Sequence, residues 1–565
     1  MTCRRWLLGL SLLTTLLWGC NPGGGGQQPG IKIQLLFGSA LKEFCTEAQQ
    51  KLQQQPLKLD NGKPIGITCD IKGSGDVVNE VVGLAKQLKQ GGISPDDPRF
   101  PTLISTDGEI YLSQLAYQIN QIFPGQNYIP DVTEAPLVVN SPMVLMVPEN
   151  LAAPIEKIAD APYRALVNAR TFRDLDPNAP PQAINFVHTA PTRSNSGLQA
   201  LVAQFVEVSG KRPEQLTVDD VKKYQSQVAK IQSKVTRYGT STGALAKAMA
   251  TNGPFWAALG AVYESSVIEA NKILPPGQPK FKAIYPKATY SSNMRVVLPK
   301  APWVSEEERQ AAEKVIEFLR SAPMQEIAAQ KGLRPGVPGI SLGTQFTPAN
   351  GVETQPNYDS LRSPRPEVVD AMIKAWVEVA KKPSMVVAVI DSSGSMAGNK
   401  MPSVQAALQS YINSLSPKDK LAFIDFDSEV RPPVLIDGTP AGKAKGIEFI
   451  NQIKVDGGTK LYDATIEGLK WLRQNRRPDA INAVIVMTDG EDNGSKISLN
   501  SLIAEIQKSG FTTDDRISLF TVGFGAEGEF NPNVLQKIAS VGNGYYSKGD
   551  PETINQVMAN LQTEF

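Results

Sequence analysis

The sequence predicts an α/β protein in which two successive regions each alternate short apolar strands with amphipathic helices. Three observations carry that expectation. From Ile31 to about residue 345, apolar runs of strand length are separated by helical stretches. The same rhythm starts again near residue 384 and runs to residue 565. Between the two, residues 336–366 are rich in Gly, Pro, Asn and Ser and lack periodicity, as an interdomain linker would. At 565 residues with 41% hydrophobic content, the chain has room for about three domains of ~150 residues with ordinary cores.

In the first region IKIQLLF reads as a strand and ALKEFCTEAQQKL as a helix, followed by the strand ITCDIKG and the helix VVNEVVGLAKQLKQ. PTLIST and GEIYLSQLAYQINQI repeat the pair, so a parallel sheet with helices on its faces is expected. APLVVN, SPMVLMV and AINFVHT add strands, and Ser196 to Phe205 opens a further helix. A long helix is predicted near Val218 to Val235, and SEEERQAAEKVIEFLRSA closes the region. In the second region the helix EVVDAMIKAWVEVAKK leads in. MVVAVI, LAFIDF, AVIVMT and ISLFTVGF are its strands, with helices near Val404, Ala444, Ala464, Leu502 and Val534.

Residues 1–20 fall outside this pattern. Arg4 and Arg5 precede an apolar stretch from Trp6 to Trp18, too short to cross a hydrocarbon core of ~30 Å as a helix, so it reads as an export signal. It ends in Leu-Trp-Gly-Cys at Cys20, which resembles the lipobox of bacterial lipoproteins; that resemblance implies a lipidated Cys20 and attachment to a membrane. Residues 21–30 then serve as a polar, glycine-rich tether. With Cys3 in the signal and Cys20 carrying lipid, Cys45 and Cys69 remain. On an exported chain they are expected to pair, contributing about 3 kcal/mol by the chain-entropy relation, the alternative being two buried thiols.

Charge and composition exclude several functions. A formal net charge of +1 from 57 basic and 56 acidic residues, well mixed, offers no basic stripe for nucleic acid. One histidine and no spare cysteine leave little from which to build a zinc or thiol-catalytic site. The second region contains no histidine to act as base for a nucleophilic serine and no G-x-S-x-G elbow, so binding rather than catalysis is expected.

MVVAVI is apolar throughout, as a central parallel strand buried on both faces should be, and it runs directly into DSSGSMAG. A second such strand, AVIVMT, runs into Asp489. Ligands of open doubly wound sheets sit beyond the carboxyl ends of the strands at a switch point, so neighbouring strands would bring Asp391 and Asp489 together. Between them VDGGTKLYDAT uses glycines to present Thr459 from a third loop. Oxygen donors from Asp391, Ser393, Ser395, Thr459 and Asp489, with no His or Cys, select a hard cation: Mg²⁺, or alternatively Mn²⁺ or Ca²⁺. Read one motif at a time, the aspartates could equally be loop caps and the serines turn formers.

Taken in order, DSSGS, GGTKLYDA and MTDG resemble the metal-ion-dependent adhesion site of von Willebrand factor type A domains, also found in integrin inserted domains. The resemblance covers about residues 384–565 and implies a doubly wound, Rossmann-like fold. It implies that Ser393 and Ser395 bind metal directly and that Thr459 does so directly or through water. The two aspartates would act largely through water, and an acidic residue of a protein partner would complete the octahedron. Asp463 and Asp492 lie nearby but suit capping or solvent exposure better than ligation.

FGSALKEF, IKGSG, VNSPMVLMV, PTRSNSG, AVYESS and LRSAPMQEIAAQKGLRP give residues 31–345 a resemblance to bacterial extracellular solute-binding proteins that fold as two α/β lobes around a cleft. Ser39, Ser74, Ser194 and Ser196 would lie at helix N-termini and Ser141 at a crossover, positions suited to a small polar or anionic solute, or equally to helix capping. His188 ends an apolar strand, where a structural hydrogen bond is expected. Glu264, if it faced the cleft, would repel an anion. The layout expected is thus 1–20 signal and lipobox, 21–30 tether, 31–345 two-lobed domain, 346–383 linker and lead-in helix, and 384–565 the adhesion domain. Two functions follow. One is an exported, lipid-anchored protein, facing the periplasm or cell exterior, that grips an acidic partner through its metal with the first domain as scaffold or sensor. The other is the substrate-binding component of an ABC-type transporter with an accessory second domain.

Overall fold

The computed structural model describes residues 30–508, 517–526 and 528–565. The expected signal, Cys20 and the tether up to residue 29 lie outside the described residues. Among the described residues no helix is long and apolar enough to cross a membrane.

The first region forms two lobes, each with its own sheet. In the first lobe the strand order is Leu57–Lys58, Pro64–Lys72, Ile31–Gly38 and Leu103–Ser105, the last three parallel. In the second the order is Phe281–Ile284, Met143–Pro148, Leu259–Tyr263, Phe186–Thr189 and Val235–Gly239. This second sheet is mixed: Met143–Pro148 runs antiparallel to both its neighbours, which departs from the all-parallel expectation. The chain returns to the first lobe through Asn293–Arg295 and the helix Glu306–Leu319, whose Ala311, Ala312 and Val315 pack against Ile33, Leu35 and Phe37. Ser305 and Glu308 cap that helix reciprocally, which is what the SEEE run encodes. A disulfide joins Cys45 in the helix Lys42–Gln54 to Cys69 in the adjacent strand.

One predicted helix is shorter than its pattern. Thr217 and Asp220 cap its start as a box, but it ends at Gln232. Val-Thr-Arg-Tyr, with β-branched and aromatic side chains, turns instead into the strand Val235–Gly239 beside Phe186–Thr189.

The C-terminal region is a six-stranded sheet ordered Val434–Asp437, Lys420–Phe426, Ser384–Asp391, Ile481–Thr488, Ile517–Phe524 and Asn543–Gly549. All are parallel except the first, an antiparallel edge. Along Ser384–Asp391 the side chains alternate between two cores: Val386, Ala388 and Ile390 face one, Met385, Val387 and Val389 the other. Both faces are therefore apolar, and the strand reads as a continuous hydrophobic run.

The segment between the regions is packed along the second lobe. Phe346 and Val352 are buried, and a Cβ at Gly351 (φ 80°) would lie 2.1 Å from the Phe281 carbonyl oxygen, so only glycine fits there. The helix Pro366–Ala375 continues to Trp376, whose indole donates to Gln232 Oε1 at 3.1 Å and whose ring packs edge-on against Tyr238. Arg237 crosses to the C-terminal sheet, donating to Ser518 Oγ at 2.5 Å and to the Asn543 carbonyl at 2.9 Å, between the rings of Trp256 and Phe520. Arg193 bridges Asp76 of the first lobe (2.8 Å) to Asn560 of the C-terminal helix Ile554–Thr563 (2.7 Å).

Candidate metal centre

Ser384–Asp391 and Ile481–Thr488 are neighbours, with Ile390 opposite Met487, so both chains leave the sheet side by side. Asp391 is fully buried and both its oxygens are engaged: Oδ1 accepts from the Ser393 amide at 2.8 Å, Oδ2 from the Thr488 hydroxyl at 2.5 Å. The Ser393 and Ser395 hydroxyls are 3.0 Å apart, and Ser395 donates to Asp489 Oδ1 at 2.6 Å.

Thr459 arrives from the third loop. Its amide donates to Asn493 Oδ1 at 2.8 Å, its carbonyl accepts from the Asn493 amide, and Gly394 N donates to the Gly457 carbonyl at 3.1 Å. A Cβ at Gly490 would lie 3.5 Å from Thr459 Oγ1 and 3.8 Å from Ser395 Oγ, so the two hydroxyls face the same small space. The structure thus brings Asp391, Ser393, Ser395, Thr459 and Asp489 together. Asp463 and Asp492 are occupied elsewhere: Asp463 accepts from the Lys496 and Ile497 amides, Asp492 from Ser495 and the Tyr462 amide.

Sequence reasoning missed three residues here. Asn493 holds the Thr459 loop through its side chain. Lys400 donates to Asp489 Oδ2 at 2.7 Å and lies 3.1 Å from Glu529. Burial alone would lower the Lys400 pKa, but its hydrogen bonds to the two carboxylates hold it above the ordinary value. Burial pushes Asp391 up to about 6, against the hydrogen bonds from Ser393 and Thr488. Among the described residues no group of three or more His, Cys, Asp or Glu is placed to hold a metal. A cation here would take its donors from two carboxylates and three hydroxyls, an all-oxygen set that fits Mg²⁺ or Mn²⁺ and does not fit zinc.

The five serines of the first region fall into separate groups. Ser39 and Ser74 meet at Asp107, a buried carboxyl that sequence reasoning did not single out. Its oxygens accept from the Ala40 amide at 3.1 Å and Ser39 Oγ at 3.4 Å, while its own amide donates to Ser74 Oγ at 3.1 Å. Burial raises the Asp107 pKa to about 7. Ser194 and Ser196 are in mutual contact, and Ser196 also bonds Thr189 and Thr242. Ser141 accepts from the Ser265 amide at 3.0 Å. Between the lobes lies a cavity of about 270 Å³ lined by Ser39, Ser241, Thr242, Tyr263 and Ser265 among others; of the five serines only Ser39 reaches it.

Glu264 does not stand unpaired towards that space, because Arg334 holds it bidentately at 2.7 Å and Tyr285 donates to it. His188 is buried between the Thr189 carbonyl and Gln232, and burial lowers its pKa to about 4, the structural role expected of it.

The sequence pattern described as bacterial extracellular solute-binding protein matches residues 55–354, more than half of the chain. The chain belongs to that family. The chain carries a second match, to the von Willebrand factor type A domain, over residues 386–560. Curated relatives include mouse inter-alpha-trypsin inhibitor heavy chain H2, 26% identical over 184 residues, covering 31% of this chain and 19% of that protein. Human heavy chain H4 is 30% identical over 164 residues, covering 28% and 17%. The chain therefore spans about a fifth of the length of these relatives. Among solved structures, the sulfate-binding protein SubI of Mycobacterium tuberculosis is 15% identical, covering 61% of this chain and 96% of that one with a TM-score of 0.38. A von Willebrand factor type A protein from Catenulispora acidiphila is 23% identical, covering 33% and 43% with a TM-score of 0.29.

Proposed function

We propose that this is an exported cell-envelope protein that binds a protein partner through a divalent cation held by Asp391, Ser393, Ser395, Thr459 and Asp489, with Cys20 as its lipid anchor. The observation that carries the reading is the convergence of two carboxylates and three hydroxyls from three loops onto one space beyond the central strands. When bound, Mg²⁺ or Mn²⁺ supplies a Lewis-acidic position that favours an anionic oxygen. Hydroxyls leave more of the ion's charge uncompensated than carboxylates would, so the ligand that suits the open position is an acidic side chain of another protein. The reading is one of binding: Asp489, the carboxylate that accepts from Ser395, is itself held by Lys400 and is taken as a donor to the cation.

The test is capture of partners by the membrane-attached protein with Mg²⁺, with EDTA, and with Asp391→Ala. Partners retained in Mg²⁺ and lost in both other conditions support the reading; the same capture in all three overturns it.

The interlobe cavity favours a second reading, in which the first domain receives a small polar or anionic solute for an ABC-type importer. A solute that binds only the folded state would raise the melting temperature with its concentration. Screens that find no such shift, beside metal-dependent partner capture, would remove this reading and leave the lobes as a scaffold.

A further inference from the structure

We propose that Lys400 is a tethered cation of this centre, resting on Asp489 when metal is absent and moving its hydrogen bonding to Glu529 when metal enters. The inference rests on the metal reading above and concerns what controls loading of that site.

The ammonium sits between two acids, 2.7 Å from Asp489 Oδ2 and 3.1 Å from Glu529 Oε2. The Asp489 side chain has no solvent exposure and Lys400 is mostly covered. Without the ammonium, a buried carboxylate would lack a counter-charge in the metal-free protein, an arrangement that is costly. The second seat is built as well. Glu529 Oε2 accepts from the Ala526 amide at 2.6 Å, and that bond together with Lys400 holds its pKa below the usual value. Gly525 (φ 128°) makes the room: a Cβ there would lie 2.2 Å from Glu529 Oε2 and 3.3 Å from Lys400 Nζ.

Charge points the same way. Asp489 and Glu529 share a single ammonium, so the pair keeps a net negative charge that an entering cation would meet. Ammonium and metal share Asp489 as a ligand. The apparent metal affinity is therefore the intrinsic one reduced by the fraction of time the ammonium holds that carboxylate. Glu529 lowers this competition by receiving the ammonium once it is displaced.

The experiment is calorimetric titration of Mg²⁺ into the full chain, with melting temperatures in EDTA, for the wild type, Lys400→Met and Glu529→Gln. Lys400→Met is expected to lower the metal-free melting temperature and tighten Mg²⁺ by about tenfold, since it removes both a competitor and a like charge. Glu529→Gln, on a partly exposed side chain, is expected to weaken Mg²⁺ severalfold. If Lys400→Met does not fold, Glu529→Gln decides alone. A wild type that binds Mg²⁺ together with unchanged affinity in the folded variants overturns this inference and leaves the adhesive reading standing. A wild type with no Mg²⁺ affinity overturns both.

Discussion

The Ser395 hydroxyl donates to Asp489 Oδ1 over 2.6 Å, joining residues 94 positions apart. Two loops that leave adjacent strands are closed on each other by that bond. Thr459 is brought to the same place by Asn493, so the centre is held by side chains as well as by the sheet.

The hydroxyl pair carries the first prediction. Ser395→Ala removes a donor to a buried carboxylate and one oxygen of the set, and should weaken Mg²⁺ binding by about 10- to 100-fold. Because a serine-to-alanine change fits the space, the melting temperature in EDTA should fall only slightly. Calorimetry of metal binding and thermal melting of one sample separate the two effects.

Asn493 is predicted to act at a distance from the ion. Asn493→Ala leaves every candidate donor in place but frees the Thr459 amide. Metal affinity should drop by about tenfold, the usual scale for an outer-shell partner. Affinity equal to wild type would show that the backbone bonds and the Ser428 hydroxyl position this loop without the Asn493 side chain.

Docking of the C-terminal sheet on the second lobe is predicted to depend on Arg237. Its guanidinium is buried, bonds Ser518 and the Asn543 carbonyl, and lies 3.7 Å from the buried Glu564. Arg237→Ala leaves that acid without its counter-charge and should cost about 3–5 kcal/mol in chemical denaturation. A loss below about 1 kcal/mol would mean the interface rests on apolar packing instead.

Asp107 sets a pH dependence. Burial raises its pKa to about 7 in the folded chain, above the unfolded value of 3.8. Its contribution is therefore complete below the unfolded value and is lost as pH rises towards and through 7. Glu564, raised to about 7 by burial, acts in the same direction, whereas His188, lowered to about 4, acts in the opposite one. Comparing Asp107→Asn with wild type isolates the first group. Between pH 5 and 7 the variant should lose less stability, by up to about 1.4 kcal/mol per pH unit. Parallel stability curves for the two proteins would contradict the assignment.

Much of the centre was legible because the strands before it are buried on both faces. MVVAVI and AVIVMT could hardly be read as anything but central strands, and the acids directly after them had to emerge at one end of the sheet. Lys400 and Asn493 stand only a few residues beyond the motifs, but nothing in the sequence marks which way their side chains turn, and Glu529 reaches Lys400 from a separate loop. Two strands escaped notice for a different reason. Val235–Gly239 follows a strong helical pattern without a break, and Asn543–Gly549 (NGYYSKG) looks like a turn until its neighbour Ile517–Phe524 is seen to pair with it. Asp107 had only a Thr-Asp-Gly context, which signals a turn; its burial comes from the lobes closing over it.

Titration of Mg²⁺ into the purified chain, beside Asp391→Ala and Asp489→Ala, tests the central claim most directly. One saturable site in the wild type, absent from both variants while each remains folded, is the predicted result. No saturable binding in the wild type, or binding that survives both substitutions, would contradict it.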